Sequence, residues 1–412
     1  MLKFFLDFAF YYPLAMAWFW IFGAINYYLR RERRGPTRTH PPELPNWPKA
    51  TLVVPCHNEG DNVRETVGYL AEQDYPDFEI IAINDGSRDN TGSVLDELTI
   101  IYPKLRVLHF PKNQGKAMGL RMAALASNSE FLICIDGDAL LDRYATRWLM
   151  WQLVTWPRVG AVTGNPRIRN RSSLLGRLQV GEFASIIGLI KRAQRTSGRV
   201  FTVSGVIAGF RRSALHRIGY WNTDMVTEDI DVSWRLQIDH WDIRYEPNAL
   251  CWILMPETLR GLWKQRLRWA QGGAEVSRRY FKNLLVWRTR RMWPVMVEYI
   301  SSAIWSYVML VVLVFGLIGT IVPLPAWLSM PGPFPTWYGA MLGATCIVQF
   351  SISMLIDRRY EEQIGRLFFW IIWYPLAFWL LGMLTTVVGV PKAFSKKIGT
   401  RAVWESPDRG IR

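Results

Sequence analysis

The sequence predicts an α/β domain with a parallel, doubly wound sheet, set between transmembrane helices. A long apolar run opens the chain, short apolar stretches alternate with helical ones over residues 46–255, and three more apolar runs follow. Alternating strands and helices are typical of parallel sheets, and apolar runs of about 20 residues span a bilayer. We therefore expect five segments, at residues 1–30, 46–256, 257–294, 295–391 and 392–412.

The N-terminal run, Phe4–Leu29, contains one acidic residue and is followed at once by a cluster of arginines. Lysine and arginine mark the cytoplasmic end of a transmembrane helix. The pattern predicts an anchor that runs from outside to inside. A cleaved signal peptide fits less well, because its basic cluster precedes the apolar core.

The C-terminal runs are Val297–Val322, Thr336–Ile356 and Leu367–Val390. Four crossings in total put the tail outside, whereas the lysines and arginine of the tail favour the inside. Pro375 lies in the middle of the last run, so a bent or re-entrant segment is an alternative to a plain span. The sequence leaves both arrangements open.

Between the membrane segments, short apolar runs predict buried strands at residues 50–55, 78–84, 105–110 and 131–135. Helical stretches are expected between them, at residues 62–73, 91–101 and 115–127. In open sheets of this kind, ligands bind beyond the carboxyl ends of the strands. We therefore expect the functional site at that edge of the sheet.

Polar residues close three of the predicted strands, as Pro55–Glu59, Asn84–Ser87 and Asp136–Asp138. Each motif alone has a second interpretation as an ordinary turn. Three acidic strand ends of one sheet, however, converge on one crevice. The paired carboxylates of Asp136–Asp138 suit Mg²⁺ or Mn²⁺ shared with substrate phosphates. Asn113–Lys116 resembles a phosphate-binding helix N-terminus, but it lacks the P-loop pattern.

Two further motifs follow in the chain. Thr227–Asp231 holds acids that suit a helix N-terminus or supply a carboxylate for general base catalysis. Leu259–Gly273 combines apolar residues at helical spacing with several basic ones, which predicts an amphipathic helix at the membrane surface. A second such helix is expected over Arg278–Arg291. Apart from Arg268, most of these bases are expected to contact lipid.

The 412 residues include 49 basic and 34 acidic ones, a formal net charge of +15. Such an excess indicates anionic partners, among them nucleic acid, acidic lipid and phosphorylated substrates. The basic residues cluster beside the membrane segments, which favours the lipid bilayer and argues against nucleic acid.

Four sequence elements occur in this order: Asp85 in an Asn-Asp-Gly-Ser turn, Asp136-Gly137-Asp138, Thr227-Glu228-Asp229, and Gln265-x-x-Arg268-Trp269. Together they resemble the signature of processive family 2 glycosyltransferases, the group that contains cellulose, chitin and hyaluronan synthases. The resemblance covers nearly the whole chain and implies a GT-A-type (Rossmann-like) domain. Residues 161–169, 201–205, 249–257, 263–275 and 406–410 are similar to bacterial poly-β-1,6-N-acetylglucosamine synthases, although some of those carry two spans before the catalytic domain.

The resemblance implies a role for each matching position. It implies a catalytic base, Asp229, and a ligand for a divalent metal, Mg²⁺ or Mn²⁺, at Asp138. The nucleotide is expected to contact Glu59, Asp85, Asp136, Gln265 and Arg268. The acceptor sugar is expected to contact Trp269, Ser204 and Gly205.

The resemblance also implies an activity: inverting transfer of GlcNAc from UDP-GlcNAc to a growing poly-β-1,6-N-acetylglucosamine chain, exported across the bacterial inner membrane for biofilm matrix. The domain would face the cytoplasm. The implied partners are the lipid bilayer, a small two-span membrane subunit and cyclic-di-GMP. The alternatives are a chitin- or hyaluronan-like synthase, a transferase that adds one sugar to a lipid, and a transporter. Transporters carry ionisable residues within their spans, which here are nearly absent apart from Glu298.

Overall fold

A mixed eight-stranded sheet forms the centre of the computed structural model, which describes residues 2–325, 328, 330, 337–371, 374–397 and 399–402. The strands are β1 Ala50–Cys56, β2 Phe78–Asp85, β3 Leu105–Phe110, β4 Phe131–Ile135, β5 Leu140–Leu141, β6 Val159–Ile168, β7 Ile207–Arg211 and β8 Asp242–Ile253. The helices of the α/β domain are α2 Val63–Ala71, α3 Thr91–Ile101, α4 Lys116–Ala126, α5 Ala145–Thr155, α6 Leu174–Glu182, α7 Ile190–Ser197, α8 Arg212–Arg217 and α9 Glu228–Ile238. The remaining helices are α1 Leu2–Tyr27, α10 Leu259–Leu284, α11 Trp293–Gly319, α12 Trp337–Asp357, α13 Phe368–Ile371 and α14 Tyr374–Ser395.

The predicted strands and helices of the first half of the domain agree with the structure to within two residues at each end. Every residue of β1, β2 and β4 is buried. Strands buried on both faces appear in a sequence as continuous apolar runs rather than as alternating ones. This is why these central strands were readily predicted.

The strand order is β3-β2-β1-β4-β7-β6-β8-β5. Strands β1 to β4 are parallel, whereas β7 runs antiparallel to both β4 and β6. The expectation of a wholly parallel sheet is therefore wrong for the second half. Helices also separate most of the later strands, but they do not all form parallel crossovers: β7 follows α7, which packs against α1.

Among the described residues, four helical stretches are long and apolar enough to cross a membrane: Lys3–Glu32, Trp287–Gly319, Trp337–Asp357 and Ala377–Ser395. They correspond to the four predicted runs. The link over residues 323–335 and the stretch 406–410 lie largely or wholly outside the described residues. Pro375 is the second residue of α14.

The second amphipathic helix expected over Arg278–Arg291 does not form, because α10 continues without a break to Leu284. Two of its bases contact protein instead of lipid. Arg278 donates hydrogen bonds to the carbonyls of Ala393 and Phe394 at 2.9 and 3.0 Å. Arg279 forms an ion pair with Asp224. The helix is thus held between α14 and the α/β domain.

The described part of the C-terminal tail lies against the α/β domain. The Ala402 amide donates to the Thr223 carbonyl at 3.0 Å, and Lys396 Nζ donates to the Asp224 carbonyl at 2.7 Å. Near the start of the last apolar run, α13 packs against α6. Both ends of this run therefore approach the α/β domain.

Candidate active site

The acidic strand ends face one large cavity of about 1060 Å³ at the carboxyl edge of the parallel strands. The structure brings together nearly all of the residues expected to act on substrate. Those that line the cavity are Glu59, Asp136, Asp138, Ser204, Gly205, Asp229, Gln265, Arg268 and Trp269. Residues of α10 thus face residues of the strand ends across a single space. Asp85 is not among the described residues that line it.

Asp85 contacts the loop that precedes the cavity-lining residue Lys116. Its buried carboxylate accepts hydrogen bonds from the backbone amides of Gln114 and Gly115, at 2.6 and 2.8 Å. Burial raises the pKa of Asp85, and these amides oppose the change. The carboxylate therefore shapes the loop that leads into α4. Its direct contact with a nucleotide stays a prediction.

Lys116, the first residue of α4, lies at the centre of the acidic groups. Its Nζ is 2.5 Å from Asp136 Oδ1 and 3.2 Å from Glu228 Oε1, and it donates to the Gly205 carbonyl at 3.0 Å. Burial lowers the pKa of Lys116, but the two carboxylates outweigh burial and raise it. The lysine stays charged and joins three segments that are distant in the chain.

Asp136 and Asp138 flank Gly137, which is closely packed against neighbouring residues. A Cβ added at Gly137 would lie 3.0 Å from the Pro55 carbonyl oxygen and 3.1 Å from Glu59 Cγ. Burial, and then the charge of Asp136, raise the pKa of Asp138 to about 7. Two adjacent carboxylates of this kind are stabilised by a cation.

The donor set indicates which cation fits. Among the described residues, no group of three or more His, Cys, Asp or Glu side chains is placed to hold a metal ion. Mg²⁺ and Mn²⁺ need fewer protein ligands, because substrate phosphates and waters complete their coordination. Asp136 and Asp138 therefore fit a divalent cation that arrives with a phosphorylated substrate, and they do not form a complete cage.

Asp229 lies in the first turn of α9, next to Glu228. Burial, and then the charge of Glu228, raise the pKa of Asp229 to about 6, while the cations of Lys116 and Arg268 oppose the change. A Cβ added at Gly205 would lie 3.2 Å from Asp229 Oδ2. The carboxylate is therefore available as a base near neutral pH and lies close to the segment that contains Ser204.

Helix α10 presents Gln265, Arg268 and Trp269 to the cavity. Between them, Arg266 points the other way. It forms a buried ion pair with Glu182 at 2.8 Å, and its guanidinium lies 4.2 Å from the centre of the Trp269 ring. It also donates to Gln265 Oε1 at 3.2 Å. The expectation of lipid contact is wrong for Arg266, which supports the cavity-facing residues from behind.

Lys191 is a cavity residue that sequence reasoning missed. Its Nζ donates to Thr163 Oγ1 at 2.8 Å, and the same hydroxyl accepts the Ser204 amide at 2.8 Å. Burial lowers the pKa of Lys191 to about 7. The only signal in the sequence is a basic residue that follows the apolar run Phe183–Ile190, and this pattern predicts no particular site.

Comparison with known proteins identifies the domain. Residues 48–272 match the family model described as "Glycosyltransferase like family 2". The chain is 38% identical over 407 residues to poly-β-1,6-N-acetyl-D-glucosamine synthase of Staphylococcus epidermidis, with 98% of both chains covered. It is also 38% identical over 411 residues to the synthase of Staphylococcus aureus strain MSSA476, again with 98% of both chains covered.

A solved structure shares the fold. A mannosyltransferase from Pyrobaculum calidifontis, in complex with GDP-Man and Mn²⁺, superposes with a TM-score of 0.64 at 18% identity, over 96% of this chain and 98% of that one. The family match covers more than half of the chain, and the similar synthases match almost all of it. The resemblance found in the motifs is thereby confirmed, and the chain belongs to the family 2 glycosyltransferases.

Proposed function

We propose that this glycosyltransferase extends a poly-β-1,6-N-acetylglucosamine chain with GlcNAc from UDP-GlcNAc. One observation carries the proposal: the base candidate Asp229 shares a cavity with the Asp136–Asp138 pair on one side and with Gln265, Arg268 and Trp269 on the other. The names of the similar synthases support GlcNAc as the sugar and β-1,6 as the linkage.

The chemical step is a direct displacement. Asp229 accepts the proton of the acceptor hydroxyl, and the oxygen attacks the anomeric carbon from the side opposite UDP. The new glycosidic bond forms as the bond to the diphosphate breaks, so the α-linked donor gives a β-linked product. A positioned base typically contributes about 10²–10⁴-fold to the rate.

Cationic groups around the cavity would stabilise the negative charge on the departing diphosphate. Arg268 and Lys116 supply fixed positive charge, and such preorganised groups are usually the largest contribution to catalysis. Asp138, together with Asp136, would hold a divalent cation, Mg²⁺ or Mn²⁺, which supplies charge neutralisation to the diphosphate. Glu59 and Gln265 would hold the nucleotide, with Asp85 acting through the loop at Gly115.

The acceptor end of the polymer would rest on Trp269, beside Ser204 and Gly205. The cavity continues towards α1 and α11, where Tyr12 and Ser302 line it. A polymer made there has a direct path to the membrane helices, which supports coupling of synthesis to export across the inner membrane. A small two-span subunit and cyclic-di-GMP are proposed as the partner and the activator of this step.

Membranes that contain the enzyme, with and without such a subunit and cyclic-di-GMP, are to be incubated with labelled UDP-GlcNAc and Mg²⁺ or Mn²⁺. We expect a high-molecular-weight product that a β-1,6-GlcNAc-specific hydrolase digests and that Asp229→Asn fails to make. Asp229→Asn is expected to retain UDP binding. Asp138→Ala is expected to lose the part of UDP binding that depends on the metal. Polymer that resists the hydrolase would indicate a chitin- or hyaluronan-like activity. Transfer of one sugar to lipid, with no polymer, would make the single-transfer alternative correct.

A further inference from the structure

The membrane end of the cavity has its own set of side chains. Tyr12, Gln194, Phe201, Glu298 and Tyr299 line it there, and none of them has been given a catalytic, donor-binding or acceptor-binding role above. The acidic member lies within the apolar stretch Trp287–Gly319. An ionisable residue in a membrane span is costly, and it is usually found where it faces a cavity or a ligand.

The Glu298 carboxylate is held in a defined orientation by a neutral partner. The Gln194 amide nitrogen lies 3.3 Å from each carboxylate oxygen and donates to both. The amide oxygen of Gln194 accepts the Phe201 backbone N–H at 3.0 Å, which fixes how the amide is turned. A carboxylate has about four acceptor positions, so the two oxygens retain capacity for donors from a ligand in the cavity.

Aromatic side chains line the same cavity as this carboxylate. The rings of Phe201 and Tyr299 stack with their centres 5.6 Å apart and their planes 16° from parallel. Tyr12 of α1 donates to the backbone carbonyl of Glu298 at 3.2 Å, which joins α1 to α11 here. A carboxylate beside aromatic rings suits a pyranose, since sugar hydroxyls donate to the carboxylate and the C–H face of the ring packs on an aromatic surface.

Helix α7 contributes one residue near the catalytic base and one residue that contacts Glu298. Lys191 and Gln194 are three residues apart in α7 and so lie on one face of it. The Asp229 carboxylate acts electrostatically on Lys191, whereas Gln194 holds Glu298. Glu298 and the base Asp229 thus interact with neighbouring turns of the same helix, through Gln194 and Lys191 respectively.

We infer that Glu298, oriented by Gln194, binds hydroxyl groups of the sugar units that lie behind the acceptor end of the polymer. The inference rests on the proposed polymerisation. It assigns to Glu298 the retention of the growing chain between transfers, separate from donor binding and from proton removal.

The test compares acceptors of different length. Purified enzyme in lipid nanodiscs, together with the proposed two-span subunit, cyclic-di-GMP and Mg²⁺ or Mn²⁺, is given UDP-GlcNAc with either GlcNAc monosaccharide or the β-1,6-linked trisaccharide, and kcat/KM is measured for each acceptor. We expect the wild type to have a higher kcat/KM for the trisaccharide than for the monosaccharide. In Glu298→Gln the ratio of these two values should be about tenfold smaller, since a hydrogen bond to a charged group is weakened. Its polymer should also be shorter. UDP affinity, measured in parallel, reports that the variant is folded.

Asp7→Asn is the matched control. Asp7 is an exposed acid in the apolar helix α1, and it does not line the cavity. It should keep the wild-type preference and polymer length. A folded Glu298→Gln enzyme with the wild-type acceptor preference would overturn the inference and leave the proposed function standing. A wild-type enzyme that elongates neither acceptor would overturn both.

Discussion

Arg192 of α7 donates two hydrogen bonds to the carboxylate of Glu32, at 2.7 and 3.0 Å, and both side chains are buried. Glu32 closes the first apolar stretch, so this contact joins the N-terminal span to the glycosyltransferase domain. Asp357, at the end of α12, forms an ion pair with the same arginine at 2.9 Å and accepts a hydrogen bond from Arg167 at 2.8 Å. Two membrane helices thus end on one buried charge network.

Removing one member of this network should destabilise the protein strongly. Glu32→Ala leaves Arg192 buried with one carboxylate fewer, and breaking a buried pair in this way typically costs about 3–5 kcal/mol. Thermal unfolding in detergent measures the effect as a lower Tm. The control is Glu97→Ala, which removes the exposed ion pair with Arg64 and is expected to cost less than about 1 kcal/mol. Equal shifts for the two variants would contradict a structural role for the buried network.

The rate should depend on pH through Asp229, which must be ionised to accept a proton. Its pKa of about 6 lies above the ordinary value, so the active form is present above pH 6 and is lost as pH falls through it. We expect kcat/KM to fall about tenfold per pH unit below this value. UDP affinity over the same range is the control for donor binding. A rate that stays level down to pH 5 would show that Asp229 is not the base.

The charge of Lys116 should set the position of that pH profile. Lys116 lowers the pKa of Asp229, so Lys116→Met should move the acidic limb of the profile to higher pH by roughly one unit. Lys112→Met is the matched control, because this lysine is exposed on the loop four residues earlier. An acidic limb that does not move in Lys116→Met would mean that the lysine acts on the substrate alone.

The location of the site was predictable from the sequence because it follows from strand ends. Glu59, Asp136 and Asp138 each follow a buried parallel strand, and the carboxyl ends of such strands meet at one edge. That rule places residues near an edge, but it does not specify hydrogen bonds. The hydrogen bonds that the Asp85 carboxylate accepts from the loop before Lys116 join residues some 30 positions apart in the chain, and no local pattern encodes them.

Residues that reach the site from helices were harder to predict. Arg266 and Arg268 carry the same charge and are two residues apart in one helix, yet one is buried against Glu182 and the other lines the cavity. The difference depends on how α10 packs on α6 and α14, which is a tertiary property. The antiparallel direction of β7 and the position of Lys191 are likewise set by α6 and α7 packing against the membrane helices.

Arg266 should act as a positioning residue for Trp269 and Gln265, whose cavity-facing orientation it supports from behind. Arg266→Ala removes the guanidinium that lies 4.2 Å from the Trp269 ring and breaks the buried ion pair with Glu182. We expect a lower Tm together with at least a tenfold loss of kcat, the former because breaking a buried ion pair by removing one partner typically costs about 3–5 kcal/mol. Lys282→Ala, at an exposed position of the same helix, should change neither.

A double variant separates these two effects. Arg266→Met combined with Glu182→Gln removes both charges and keeps most of the side-chain volume, and replacing a buried ion pair by neutral groups is often close to neutral for stability. The double variant should therefore regain most of the Tm while kcat stays low, because the Trp269 ring and the Gln265 amide have lost the group that orients them. If kcat returns together with the Tm, Arg266 serves only to compensate the charge of Glu182, and the orientation of Trp269 is set by its other neighbours, among them the Phe183 ring at 6.5 Å.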